Sequence, residues 1–460
     1  GGKLSEAAAG LPDATVGSVS IDSRTLRSNA LFVAIRGDNF DGHDFVANAL
    51  ERGAALAMVE EGRVGMFAGV PVLGVPDPLV GLERLGRWAR TRSRARIVAI
   101  TGSAGKTTTK SMVAEVLAGA GATHASIRSY NNHWGVPLML ANLPPSADFG
   151  VFEIGMNHSG EIAALVEQVR PHVALVTHVG VAHVGNFEDA EGVARAKAEI
   201  ISGLEPDGLV LVNGDHSFMH VFDEEAGKRP DVRMQTFGFA PDCNVRISDY
   251  HSDGRRAQAR AHFGRVLVDF SVGMPGRHMI SNGAGALCVS HQLGVPMPDA
   301  VAALGSFEAE EGRGSVQRFG EGERELVLLD ESYNANPASM EAALEVFARI
   351  GDAGGRRVLV LGDMLELGEQ SAVLHKGLLP ALREAEPDLV FLVGRRMCAL
   401  APHLGALARV ETSLTADGIL PRLLKELDWG DQIMVKGSNG VGLSRIVSGI
   451  RGRFAGAQKP

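Results

Sequence analysis

Residues 96–117 read RIVAITGSAGKTTTKSMVAEVL, and no other stretch limits the fold as tightly. The apolar run Arg96–Ile100 predicts a buried strand and Thr107–Leu117 predicts a helix, so Gly102 and Gly105 fall in a strand-to-helix turn. The generic phosphate loop, G-x-x-x-x-G-K-[ST], would place its first glycine at position 100, where this chain has Ile100. The pattern here is shorter, T-G-x-x-G-K-T-T. Its physics survives the change. Glycines let backbone N–H groups approach an anion, and the helix N-terminus adds its positive end. Lys106 can reach terminal phosphate oxygens, and the Thr107 hydroxyl can face Mg2+. An ordinary glycine turn with a solvated lysine is the competing reading. The co-occurrence of strand, turn, lysine, hydroxyl and helix favours a nucleotide site over Gly102, Ser103, Ala104, Gly105, Lys106, Thr107 and Thr108.

With about 150 residues per domain, 460 residues predict three domains. Residues 1–93 hold short strands (LFVAIRG, ALAMVE, VPVLGV) among helical stretches, a small α/β module. Residues 94–311 hold the phosphate-loop unit, with further strands at FGVFEIG, VALVTHV and LVLVNG separated by helical segments. That alternation predicts a mostly parallel sheet. Residues 312–460 repeat the alternation with ELVLLD, RVLVLGD, LVFLVGR and DQIMVKG, a Rossmann-like open sheet. Its first strand is not followed by G-x-G-x-x-G with a later acidic residue, which argues against a nicotinamide cofactor. The fold class is therefore α/β, with three domains.

A net charge of −9 argues against a nucleic-acid partner, because polyanion binding depends on Lys and Arg neutralising phosphates. The run RLGRWARTRSRARI concentrates arginines at 84, 87, 90, 92, 94 and 96, and its spacing suits a helix face and linker better than a basic patch. Cys243, Cys288 and Cys398 lie far apart and predict neither a disulfide framework nor a zinc knuckle. No apolar run approaches the roughly 18 residues that cross a bilayer, and GGKLSEAAAGL lacks a signal-peptide core, so a cytoplasmic enzyme without membrane insertion is expected.

Several polar residues stand at strand ends, where open α/β sheets hold ligands. Glu153 ends FGVFE and is a Mg2+ candidate, although a lone strand-end carboxylate more commonly faces solvent. His178 and His183 occupy the loop after the next strand; two histidines are too few for zinc, and each alone reads as structural. Lys197 sits on the helix AEGVARAKAEI, where an isolated lysine normally extends into water. In DESYNANPASM, Asp330, Tyr333, Asn334 and Asn336 lie in a turn-rich loop of the kind that collects ligand contacts.

Taken in order, TGSAGKTTTK, NNHWGVPL, EIGMNHSGEI, VGVAHVGNFEDAEGVARAKAEI, MPGRHMISN, DESYNANPASM and VLGDMLELG resemble the Mur ligases, and IDSRTLRSNALFVAIRGDNFDGHDF is similar to their UDP-binding module. The resemblance covers nearly the whole chain. It implies a UDP-sugar domain over 1–93, a central ATPase over 94–311, and a C-terminal domain over 312–460 that closes over ATP and brings the amine substrate. Within the family it implies ATP-dependent joining of D-alanyl-D-alanine to UDP-N-acetylmuramoyl-tripeptide through an acyl phosphate, by a monomer with two Mg2+ sites. Lys106 and Thr107 would then act on the γ-phosphate and first metal, with Glu153 near that metal. His183 would bind the second metal. Lys197 would carry a carbamate supporting it, which reverses the solvated reading. Asn282 would contact adenine, while Arg313, Asp330, Tyr333 and Asn336 would complete the ATP site. Ser23 and Arg24 would contact the uridine diphosphate, and Asn131, Asn132, Asn157 and His158 the substrate side. The chain departs from the family pattern at His178, where asparagine is usual, at Met279, where asparagine is common, and at Glu331, where a second aspartate is frequent. The glycine segment VKGSNGVG fits the family's strand-to-helix loop but receives no contact. Rival readings are another ligase of the superfamily, such as a folylpolyglutamate synthetase or the ligase of the third stem residue, and a nucleotide-driven switch that forms no amide.

Overall fold

The computed structural model describes residues 2–9, 16–37, 40–180, 185, 187, 189–321, 325–350 and 355–455. Three sheets follow one another along the chain. The first comprises β1 (Lys3–Leu4), β2 (Ser18–Ser20), β3 (Ala30–Val33), β4 (Ala54–Glu60) and β5 (Val72–Val75), in the order β1-β5-β4-β3-β2. All its pairings are parallel except β1 with β5.

The central sheet contains β6 (Arg96–Thr101), β7 (Thr123–Ala125), β8 (Phe149–Glu153), β9 (Val173–Val176), β10 (Leu209–Asn213), β11 (Arg233–Gly238), β12 (Val245–Ser252), β13 (Ala257–Phe263) and β14 (Val266–Val272). Its order is β14-β13-β12-β11-β10-β9-β6-β8-β7, parallel from β7 to β12. In β6, Ile97 and Ala99 enter one apolar layer while Val98 and Ile100 enter the other. The strand is buried on both faces, which is why its sequence is a continuous apolar run. The antiparallel strands β12 to β14 were not anticipated. They alternate buried and exposed residues, as expected of strands with one wet face.

The third sheet runs β15 (Ser315–Phe319), β16 (Leu326–Glu331), β20 (Gln432–Lys436), β17 (Arg357–Gly362), β18 (Leu389–Val393), β19 (Arg409–Ser413), with β15 alone antiparallel. It too separates two apolar layers, one holding Leu329, Leu361 and Met434, the other Leu328, Val360 and Val435. The four strands expected from sequence are all present, and β15 and β19 add to them.

Two seams set how these sheets meet. The helix Pro78–Arg92 buries Arg90, whose guanidinium donates to the Val169 and Arg170 carbonyls at 2.7 Å each and pairs with Glu205 at 3.3 Å. The arginine run thus serves in part as a tether between the first and central sheets. Between the central and third sheets, Glu310 accepts from the Ser111 hydroxyl and pairs with Lys110 at 3.5 Å, both on the helix Lys106–Ala118. Its neighbour Glu311 pairs instead with Arg451 at 3.0 Å, on the helix Ser444–Phe454. No helix among the described residues is long and apolar enough to cross a membrane.

Candidate active site

The C-terminal ends of β6, β8 and β10 face those of β16 and β20 across a cleft of about 670 Å³. Its lining includes Ser103, Ala104, Gly105, Lys106, Thr107 and Thr108, joined by Asn131, Asn132, Glu153, Asn157, Asn282, Arg313, Tyr333 and Asn336. The three residues that depart from the family pattern, His178, Met279 and Glu331, also line it.

The phosphate loop is shaped by two glycines with positive φ. At Gly102 (φ 152°) a Cβ would lie 1.9 Å from the Thr177 hydroxyl, which itself donates to the Ala104 carbonyl at 2.6 Å. At Gly105 (φ 81°) a Cβ would meet the Asn282 amide oxygen at 2.7 Å. A methyl group at either position must displace the loop or its supports. Gly102→Ala is therefore expected to weaken ADP binding at least about tenfold while leaving the far-UV spectrum unchanged, as titration calorimetry would show.

Around this loop the polar groups interlock. Lys106 Nζ donates back to the Gly102 carbonyl at 2.8 Å. Thr107 Oγ1 donates to Glu153 Oε2 at 2.8 Å, and Asn131 Nδ2 to Glu153 Oε1 at 2.6 Å. Glu153 is fully buried, so the solvent-facing reading of this carboxylate is corrected. Desolvation pulls Lys106 below the ordinary ammonium range; Glu153 opposes that shift and Arg313 adds to it.

Lys197 lies on the helix Ala190–Ala198, which Asp189 caps by accepting from the Gly192 amide at 2.8 Å. It is 1% exposed rather than solvated, and its ammonium has no hydrogen-bond or ion-pair partner among the described residues. Burial, with the Lys106 charge nearby, pushes it well below the usual lysine range. A buried amine without a counter-charge favours its neutral form. The His178 ring is likewise pushed down by burial, with Lys197 adding to the shift and Asp215 opposing it. His183 lies outside the described residues.

The third sheet closes the opposite wall. Asn336 Nδ2 donates to the Ser103 carbonyl at 3.1 Å, directly onto the phosphate loop. Tyr333 OH and Arg313 Nη2 both donate to Ser129 Oγ, at 3.0 and 2.8 Å, and the Arg313 guanidinium stacks 4.0 Å from the Tyr333 ring. Asp330 is buried beneath this wall rather than lining it. Its carboxylate accepts from the Gly312 and Ser332 amides at 3.1 Å each and so fixes the turns presenting Arg313 and Tyr333.

His158 is exposed on its loop and, like Gly102, is absent from the lining. Ser23 and Arg24 stand in the first sheet's unit, Ser23 buried and Arg24 paired with Asp22 at 2.8 Å. Arg24, with a weaker contribution from Arg128, holds the Asp22 carboxyl below its usual range, which puts this turn beside the Arg128–Tyr130 segment flanking Ser129. Sequence reasoning missed Ser129, Thr177, Arg277, His278 and Lys436. Only Lys436 had a signal, its place at the end of a strand before a glycine segment.

Family models match in all three units: the Mur ligase family catalytic domain over residues 15–77, the Mur ligase middle domain over 100–290, and the Mur ligase glutamate ligase domain over 316–439. The chain belongs to the Mur ligase family. Among curated Mur ligases, the UDP-N-acetylmuramoyl-tripeptide--D-alanyl-D-alanine ligase of Escherichia coli is 34% identical, over 95% of this chain and 94% of that protein. The Bacillus subtilis protein of the same name is 29% identical, over 94% and 92%. Among solved Mur ligases, MurF from Acinetobacter baumannii aligns with a TM-score of 0.83 at 29% identity, covering 95% of this chain and 94% of that one. MurF from Thermotoga maritima, solved in complex with ADP, aligns with a TM-score of 0.77 at 25% identity, covering 97% and 100%.

The donor set fits Mg2+. Thr107 Oγ1 and Glu153 Oε2 are hard oxygen donors 2.8 Å apart, and no cluster of three acidic, histidine or cysteine residues occurs among the described residues. Mg2+ takes few protein ligands and fills its shell with waters and substrate phosphates, so a two-oxygen site suits it.

Proposed function

We infer that the protein is an ATP-dependent ligase that joins D-alanyl-D-alanine to UDP-N-acetylmuramoyl-tripeptide during cytoplasmic synthesis of peptidoglycan precursors. The observation that carries this reading is the meeting of the phosphate loop and Glu153 in one cleft, with Lys197 buried behind it, without a partner among the described residues and within reach of the Lys106 charge, in a chain whose full-length relatives are named for that reaction. The proposed organisation is a UDP-sugar domain over 1–93, a central ATPase over 94–311 and a closing domain over 312–460, acting as a monomer.

A carboxylate resists amines because its leaving group is poor. Its oxygen attacks the γ-phosphorus of ATP, ADP departs, and the acyl carbon of the resulting acyl phosphate accepts the dipeptide amine; phosphate then leaves with the C–O bond electrons, and the amine loses a proton. Mg2+ held by Thr107 and Glu153 would offset phosphate charge when bound. Lys106 neutralises charge gathering on the transferred group, and the loop amides orient it. Asn131 and Thr107 hold Glu153 in place. Arg313, Tyr333 and Asn336 cover the site and exclude water, to which an acyl phosphate is vulnerable. In this reading His183 and a carbamate on Lys197 serve a second metal, Asn282 faces adenine, and Asn132, Asn157 and His158 face the peptide. Ser23 and Arg24 take the uridine diphosphate.

Phosphate release from ATP with the UDP-linked tripeptide is expected to depend on D-alanyl-D-alanine. Equal release without it would favour the nucleotide-driven switch, and release driven by a single amino acid would favour another ligase of the superfamily.

A further inference from the structure

The VKGSNGVG segment has so far received no role, yet it lies against the loop that closes the site. Lys436 ends β20 directly beside Glu331, its register partner at the end of β16. Its side chain is 2% exposed, and Nζ donates to Glu331 Oε2 at 3.0 Å and to the Asn334 carbonyl at 3.1 Å. Ser438 Oγ donates to the Ala335 carbonyl at 3.3 Å and accepts from the Leu365 amide at 2.9 Å. The loop 331–336 is therefore held by the end of β20 and the segment that follows it, through one carboxylate and two successive carbonyls. From that same loop Tyr333 reaches Ser129 and Asn336 reaches the Ser103 carbonyl. The chain of contacts runs from Lys436 and Ser438, through the loop, onto the phosphate loop.

We propose that Lys436 is a positioning residue for ATP turnover, which with Ser438 fixes the loop that sets Tyr333 and Asn336 against the phosphate loop. The proposal rests on the ligase reading above. A buried ammonium spent on two acceptors is poorly placed to capture a phosphate, whereas it pins the Glu331 carboxylate and the Asn334 carbonyl to the end of β20. Without it the loop loses that anchor. A displacement near 1 Å of groups lining a closed site costs about 10²-fold in rate. The competing explanation is that Lys436 only neutralises Glu331 and so supports the fold.

The two are separated with full-length Lys436→Met, alone and combined with Glu331→Gln, and with Ser438→Ala, which leaves the charge pair intact. Lys436→Met is expected to bind UDP-linked tripeptide as the native protein does and to lose about 10²-fold in kcat. Adding Glu331→Gln is expected to restore the melting temperature but not kcat, because the stranded charge is gone while the Asn334 carbonyl still lacks its donor. Ser438→Ala is expected to lose about tenfold in kcat and to exchange the 331–336 amides faster, since one of the two straps is gone. A kcat within about twofold of native in both Lys436→Met and Ser438→Ala, or kcat restored by Glu331→Gln, overturns the proposal; RT ln 2 is too small a barrier change for a lost positioning contact. A native enzyme whose phosphate release ignores the dipeptide sinks the ligase reading instead. The positioning claim is then decided by amide exchange alone, which the Lys436 and Ser438 substitutions must accelerate in 331–336.

Discussion

Lys106→Ala is expected to slow ATP turnover by about 10³-fold, the upper end of what one charge-stabilising donor supplies. The structure places the ammonium at the N-terminus of the helix Lys106–Ala118, resting 2.8 Å from the Gly102 carbonyl. It is thus parked on the loop and can swing to a phosphate oxygen without rebuilding the backbone. Desolvation makes that charge costly in the free enzyme and correspondingly effective once an anion arrives. Binding of the UDP-linked tripeptide should be preserved, because the groups assigned to it lie on other segments. The kcat for ADP formation and the Kd for the tripeptide, measured on the same preparation, check this. Near-native turnover would show that the loop grips something other than a reacting phosphate.

Lys197→Ala is expected to have a comparable effect, about 10³-fold on ADP formation, with tripeptide binding again retained. A solvated lysine on a helix would cost nothing to replace. This one is buried without a described partner, and the Lys106 charge adds to the burial in favouring the neutral amine. A neutral amine can attack carbon dioxide and release a proton, and a carbamate formed in this way would place an anion beside the Lys106 ammonium. The native enzyme should therefore lose activity in carbon-dioxide-free buffer and regain it with bicarbonate, and the intact mass should rise by one carbon dioxide. Lys197→Ala should ignore bicarbonate. An unmodified lysine in fully active enzyme contradicts the carbamate.

Much of this was legible because the relevant signals are local. RIVAITGSAGKTTTK specifies strand, turn and helix within fifteen residues, and the continuous apolar runs of the parallel strands announce burial on both faces. What escaped detection depends on distance along the chain. Lys197 looks like any helical lysine until the fold covers it, and Lys436 finds Glu331 only when β20 inserts between β16 and β17. The strands β12 to β14 were missed for another reason. β13, AQARAHF, alternates mainly on alanine, and β12, VRISDYHS, carries five polar residues to three apolar, so neither offers a strong apolar run. Asp330 was read as part of a turn-rich ligand loop, but it lies inside β16 and its carboxylate is spent on the Gly312 and Ser332 amides, a use that no motif displays.

Glu310 and Glu311 face opposite units, one held by Lys110 and the other by Arg451. Consecutive residues joined in this way leave almost no slack chain between the two lobes. A swing of the third sheet about the central one would therefore turn on the backbone dihedrals of this single junction, each glutamate staying with its own unit. Glu311 is largely exposed, so added salt should loosen its hold on Arg451 and soften that end of the pivot, while the apolar layers on either side are untouched.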